Sequence, residues 1–121
     1  MISQLNPSDF AGWRDRAASG PAPTVLPVVL DVREPWEVQT ASVRVDGFRL
    51  LCVPMREITA RLAELKDFLG TDQPIACLCH HGMRSMQVAN YLAQNGFSEV
   101  VNLQGGIDAW THQVDAAVPR Y

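Results

Sequence analysis

The chain has 121 residues, of which 47% are hydrophobic and 19% charged, with a formal net charge of −3. That length supports one core and not two, so a single domain over residues 1–121 is expected. The slight acidity argues against a nucleic-acid partner, which calls for a basic face, and no stretch approaches the ~18 consecutive apolar residues of a membrane span.

The opening MISQLNPSDF lacks the basic and apolar regions of a secretion signal. Its alternation from Ile2 to Leu5 predicts an edge strand. Asn6 then reads as an N-cap, with Pro7 at the first helical position and Asp9 in the first turn. Phe10, Trp13 and Ala17 follow at helical spacing. The segment SGPAPTVLP (19–27) is a linker dense in proline and glycine. VVLDV (28–32) is a continuous, β-branched run of the kind buried inside a parallel sheet. In REPWEVQ, Pro35 suits the start of a short helix.

FRLLCV (48–53) predicts a second buried strand. Ile58, Leu62, Leu65 and Leu69 give one apolar helical face over Met55–Leu69, stopped by Gly70. PIACLC (74–79) is a third strand, and Ser85–Asn95 is helical, with Val88, Ala89 and Leu92 on one side and Gly96 as terminator. VVNL (100–103) is a further strand, and QGGIDAW turns into a last helix in which Trp110 anchors the core. Strands alternating with helices specify an α/β fold, a parallel sheet covered on both faces. Ligands in such folds sit beyond the carboxyl ends of the strands. Cys79 occupies one of those ends.

The residues around that cysteine, CHHGMRS (79–85), form a chemically pointed loop. A strand closes at Cys79 and a helix opens near Ser85, so the loop must curl back over a short distance. Gly82 permits backbone angles and a close approach that a side chain would obstruct. Such a loop can aim successive N–H groups inward as a nest for an anion. The positive end of the following helix dipole and the Arg84 guanidinium add to it. Arg84 is expected to turn inward, bonding loop carbonyls or facing the anion. A free thiol titrates near ~8.5 and is only a few per cent thiolate at neutral pH. The nest is expected to favour the thiolate, so that the nucleophile works without a separate general base.

Three segments, in order, are similar to those of the rhodanese family of single-domain sulfurtransferases. DVREPWE (31–37) resembles the family's second-strand motif, CHHGMRS its cysteine loop, and NLQGGIDAW (102–110) the glycine-rich turn before its last helix. The resemblance implies a rhodanese-like three-layer fold, a five-stranded parallel sheet with helices on both faces. PIACLC would lie beside VVLDV at a switch point, and Ile2–Leu5 would form an edge. It implies ping-pong chemistry in which Cys79 is the nucleophile and carries a persulfide between a thiosulfate-like anion and a thiol or cyanide acceptor, or an acceptor protein. His80, His81, Gly82, Met83, Arg84 and Ser85 would line the substrate site. Asp31 and Arg33 would support it structurally.

The chain departs from the family at His80, where many members carry a basic residue, and at SVRVDGF (42–48), which replaces a His-Ile-Pro-Gly-Ala segment.

Other readings stand beside this one. Three cysteines in a chain this size give no disulfide framework, so a reducing cytoplasm is the expected setting. Cys52 and Cys77 read as inert packing in apolar strands. Adjacent histidines and a C-x-C do not reproduce metal-ligand spacing, so neither a metal nor another cofactor is expected. Met83 is expected to line the loop, Gly105 and Gly106 to make a tight turn, and His112 has no nameable partner. A monomer is the default. A cysteine-dependent phosphatase or arsenate reductase would share a cysteine, a nest and an arginine, but its loop would hold one residue more than the four between Cys79 and Arg84. A non-catalytic persulfide carrier or docking module would use the same cysteine.

Overall fold

A computed structural model describes residues 2–18 and 26–121. The linker expected at 19–27 lies mostly outside these residues. Five strands form one sheet: β1 (Ser3–Leu5), β2 (Val28–Asp31), β3 (Arg49–Cys52), β4 (Ile75–Leu78) and β5 (Val100–Leu103). Their spatial order is β1-β5-β4-β2-β3, and every pairing is parallel. The helices are α1 (Phe10–Ala18), α2 (Pro35–Thr40), α3 (Leu62–Leu69), α4 (Met83–Gln94) and α5 (Gly106–Gln113).

Side chains alternate across the pleat, and that alternation builds two cores. Leu30, Ile75, Cys77 and Cys79 face Ile58, Leu65, Val88, Ala89 and Leu92, the side covered by α3 and α4. Val29, Ala76, Leu78 and Leu103 face Phe10, Phe48, Ile107 and Trp110, the side covered by α1 and α5. Trp110 packs its ring 4.9 Å from Phe10 at a steep angle. The central strands β2 and β4 are buried at every position, as both-face coverage requires.

From β2 the chain steps outward to β3, whereas β4 lies on β2's other side and leads on to β5. The sheet order therefore reverses between β2 and β4, and this is where ligand crevices form in such folds.

Four local expectations are corrected. Asn6 stands at the predicted cap but its side chain makes no capping bond, and the first turn, Pro7–Asp9, is a 3₁₀ turn before α1. The single helix expected over Met55–Leu69 is divided into a 3₁₀ turn at Met55–Glu57 and α3. Between them the Arg61 amide is shared by the carbonyls of Glu57 and Ile58 at 3.0 and 3.2 Å, so the ladder alternates between two spacings. Helix α4 starts at Met83, two residues earlier than expected, because Gly82 caps it with φ +97°. Cys52, expected inside a buried strand, is exposed, because β3 is an edge strand with one neighbour. Val43 and Phe48 of the divergent 42–48 segment nonetheless pack into the α1–α5 core.

Leu30 lies in the middle of β2 with no exposed surface. Leu30→Ala is expected to cost about 3 kcal/mol through lost transfer energy and a residual cavity. Urea denaturation should show a lower midpoint with an unchanged slope.

Candidate active site

Cys79 follows β4 directly, and strand parity turns its side chain toward α4 while Leu78 turns toward α5. Its sulfur is nearly sealed, with 1% of the residue exposed. The Gly82 amide donates to Sγ at 3.0 Å, and the Ser85 hydroxyl lies 3.2 Å from it. The first i→i−4 bond of α4 runs from the Met86 amide to the Gly82 carbonyl. The amides of Met83, Arg84 and Ser85 therefore precede the helical ladder, at the positive end of the helix.

What shapes the loop comes from α5. The Ile107 amide donates to the Cys79 carbonyl at 2.8 Å, and the Asp108 amide to the His80 carbonyl at 3.2 Å. These two bonds hold the Cys79–His80 backbone against α5, and the Gly82 N–H further along the loop meets the sulfur. Gly106 is more than a turn residue, because a Cβ there would collide with the Cys79 and His80 carbonyls, and its φ is +63°. Gly82 is held closely too, since a Cβ would come within 3.1 Å of the Gly105 nitrogen.

The other expected site residues divide. Ser85 meets the sulfur. Arg84 does not turn to the loop carbonyls. Its guanidinium forks onto Glu37 of α2, at 2.6 and 2.8 Å. Bidentate pairing with a carboxylate is the strongest contact a guanidinium makes, and α2 supplies that carboxylate beside the loop. Met83, expected to line the loop, is 76% exposed, because the inward face of α4 is the one that carries Ser85, Val88, Ala89 and Leu92. His80 is sandwiched between His81, at 3.9 Å, and Tyr121, at 4.0 Å. Its pKa is lowered from the usual imidazole range, by burial first and then by the neighbouring His81, so it is neutral at neutral pH.

Asp31 and Arg33 are both buried beneath this arrangement. Arg33 donates to both Asp31 carboxylate oxygens, at 2.9 Å from Nε and 2.7 Å from Nη2. It also donates to the Ala41 carbonyl at 2.7 Å and the Tyr121 hydroxyl at 2.9 Å. Arg33 thus ties the end of β2 to the Glu37 and Ala41 carbonyls of the α2 segment and to Tyr121.

Three residues of the site were not singled out in the sequence. Glu37 lies inside the motif DVREPWE, and it closes a capping box with Glu34. Its carboxyl is held down to about 2, mainly by Arg84, with the Tyr121 hydroxyl donating to it at 2.8 Å. Asn102 sits in a strand that reads as apolar, and Tyr121 has no local signal at all. Among the other cysteines, burial pushes the Cys77 thiol up. The Cys52 thiol is raised as well, by partial desolvation and then by Asp31 beside it. Among the described residues no group of three or more histidine, cysteine or acidic side chains could hold a metal ion.

A family model described as the rhodanese-like domain matches residues 15–113. The chain belongs to the rhodanese-like domain family. It is 32% identical over 93 residues to the thiosulfate sulfurtransferase GlpE of Pseudoalteromonas translucida, covering 77% of this chain and 81% of that one. It is 39% identical, also over 93 residues, to the rhodanese-like/PpiC domain-containing protein 12, chloroplastic, of Arabidopsis thaliana. There the match covers 77% of this chain but only 30% of the larger relative. A rhodanese-like domain protein from Staphylococcus aureus shares the fold with a TM-score of 0.70, at 22% identity and 99% coverage of both chains. The rhodanese-like loop, its α5 clamp and the switch point thus coincide at Cys79.

Two outcomes follow from this geometry. Gly106→Ala should displace the Cys79–His80 backbone and slow Cys79 alkylation roughly tenfold or more, an effect of the size that a small misplacement of reacting atoms produces. Iodoacetamide labelling followed by peptide mass mapping reads it. Because the folded Glu37 carboxyl ionises near 2 and its ordinary value is 4.5, its contribution to stability is fully present above the ordinary value and fades as pH falls toward 2. Glu37→Gln should lower stability at neutral pH by about 2 kcal/mol, at the modest end for a pair with one half-exposed partner. The variant should also lose part of the steepness of acid unfolding measured by circular dichroism.

Proposed function

We propose that this rhodanese-like protein is a sulfurtransferase that carries sulfane sulfur as a persulfide on Cys79. The observation that carries this reading is the sealed sulfur at the strand end, with the Gly82 N–H at 3.0 Å, the Ser85 hydroxyl at 3.2 Å and a helix N-terminus beside it. Donors aimed at a single atom stabilise charge there without reorganising. The relatives named thiosulfate sulfurtransferase support the same reaction class.

In the first half-reaction the Cys79 thiolate attacks the outer sulfur of thiosulfate or a similar donor. A new S–S bond forms as the old one breaks, and the electron pair leaves with sulfite. In the second, a thiophile such as cyanide or a thiol attacks the terminal sulfur and returns the Cys79 thiolate. Sulfur, charge and electrons balance in both steps, so no external oxidant, reductant or cofactor takes part. The loop spans four residues between cysteine and arginine, and Arg84 is occupied by Glu37. Both features suit one sulfur atom better than a tetrahedral phosphate, which disfavours a phosphatase.

A second reading, a persulfide carrier that serves a thiol or protein donor, is favoured by the same charge arrangement. Arg84 and Arg33 are both paired with carboxylates, and His80 is neutral at neutral pH, so a thiosulfate dianion meets little uncompensated positive charge. Exposed Trp36 and Met83 present apolar surface instead.

Mass spectrometry after exposure to thiosulfate should find one added sulfur, removed by cyanide and absent in Cys79→Ser. Phosphate-ester hydrolysis without such an adduct would overturn the reading. If persulfide donors load the protein while thiosulfate does so only negligibly, the carrier reading prevails.

His80 gains its charge only on acidification below its ordinary range. The KM for thiosulfate should therefore fall as the pH is lowered below the ordinary imidazole range. His80→Lys should lower that KM about fivefold at neutral pH, the effect of about 1 kcal/mol from one exposed charge, and remove its acid dependence.

A further inference from the structure

Asn102 is buried in β5 and makes three hydrogen bonds, two of them to the Cys79 loop. Its Nδ2 donates to the Gly82 carbonyl at 3.1 Å and to Gln4 Oε1, on β1, at 2.9 Å. Two oxygens facing one end fix which end of the amide is nitrogen. Its Oδ1 accepts from the Ser85 hydroxyl at 2.6 Å. Ser85 and Asn102 are 0% and 1% exposed, so water does not take the place of a missing partner.

The Ser85 hydroxyl has one proton and two neighbours, Asn102 Oδ1 at 2.6 Å and Cys79 Sγ at 3.2 Å. While the proton points to Asn102, the hydroxyl oxygen offers only lone pairs to the sulfur. It can then accept from a thiol S–H but cannot stabilise a thiolate. When the thiol proton leaves to solvent, a charge-assisted bond from the hydroxyl to sulfur becomes available. Forming it strips the buried Oδ1 of its donor.

We infer that Asn102 is a positioning residue for sulfur transfer, which fixes the direction of the Ser85 hydroxyl proton and so sets how much of that donor the Cys79 sulfur receives. The inference rests on Cys79 being the reacting thiol. Gln4 extends the same network to the edge strand, holding the amide so that it cannot turn and present its nitrogen to Ser85. The other charged and titratable groups about the sulfur are Cys77 on its own strand, the Arg84–Glu37 pair bridging α4 and α2, and His80 and His81 in the loop. None of them figures in the three hydrogen bonds of Asn102.

The test is a double-mutant cycle in the full chain carrying Cys52→Ser, reading iodoacetamide alkylation of Cys79 at neutral pH. With Asn102 present, Ser85→Ala should slow alkylation only about twofold, because Asn102 Oδ1 competes with the sulfur for the hydroxyl proton. In an Asn102→Leu background the freed hydroxyl serves the sulfur, and Ser85→Ala should slow alkylation about fivefold or more, the coupling expected of residues in one hydrogen-bond network. Equal effects of Ser85→Ala in both backgrounds would overturn the inference while leaving Cys79 a competent thiol. A Cys79 inert in every variant would instead remove the sulfur-transfer reading.

Should Asn102→Leu fail to fold, the wild-type chain supplies the answer by nuclear magnetic resonance. The Asn102 side-chain amide and the Cys79 Cβ should titrate with a common midpoint, and the Asn102 response should vanish in Ser85→Ala. An Asn102 response that persists there overturns the inference.

Discussion

The site depends on a backbone interaction between two segments more than twenty residues apart. The first amides of α5 take the Cys79 and His80 carbonyls, and Gly106 lets the two backbones approach without a Cβ between them. The start of the loop is thereby fixed against α5, and three residues after Cys79 the Gly82 N–H meets its sulfur. One helix N-terminus shapes the loop and another, that of α4, faces the Cys79 sulfur. Both follow from the rule that the first amides of a helix lack internal partners.

Charge around the sulfur is arranged with equal economy. Arg33 is satisfied by Asp31, a main-chain carbonyl and Tyr121, and Arg84 by Glu37. The Tyr121 hydroxyl accepts from Arg33 and donates to Glu37, joining the two ion pairs into one network. Breaking one member leaves a charge in a poorly solvated place, which is why such networks hold loops in one geometry. The cations here fix α2 and the start of α4 beside the loop, and backbone dipoles address the sulfur.

Much of this architecture was legible in the sequence because periodicity and turn chemistry are local. The unbroken runs VVLDV and PIACLC announced a parallel sheet, and the position of Cys79 at a strand end placed it beside the switch point. What stayed hidden depended on contacts across the chain. Cys52 lies in a run as apolar as the others, and only the strand order makes it an edge residue. The fate of Arg84 turned on Glu37, 47 residues away, and Asn102 gained its role from Ser85 and Gln4, partners on two other elements. Gly106 looked like a turn glycine because the opposing carbonyls belong to a distant loop.

The spacing of the cysteines bears on how a loaded sulfur could be discharged. Cys77 is on the same strand as Cys79 and the same face, two residues back, a geometry that cannot close a disulfide, and burial keeps its thiol protonated. Cys52 is aligned with Asp31 on β3, with β2 standing between it and β4, about 10 Å away by strand spacing. Neither of the other two cysteines in the sequence is therefore placed to act as a resolving thiol for Cys79. On the proposed persulfide reading, sulfur held on Cys79 would leave by attack from another molecule.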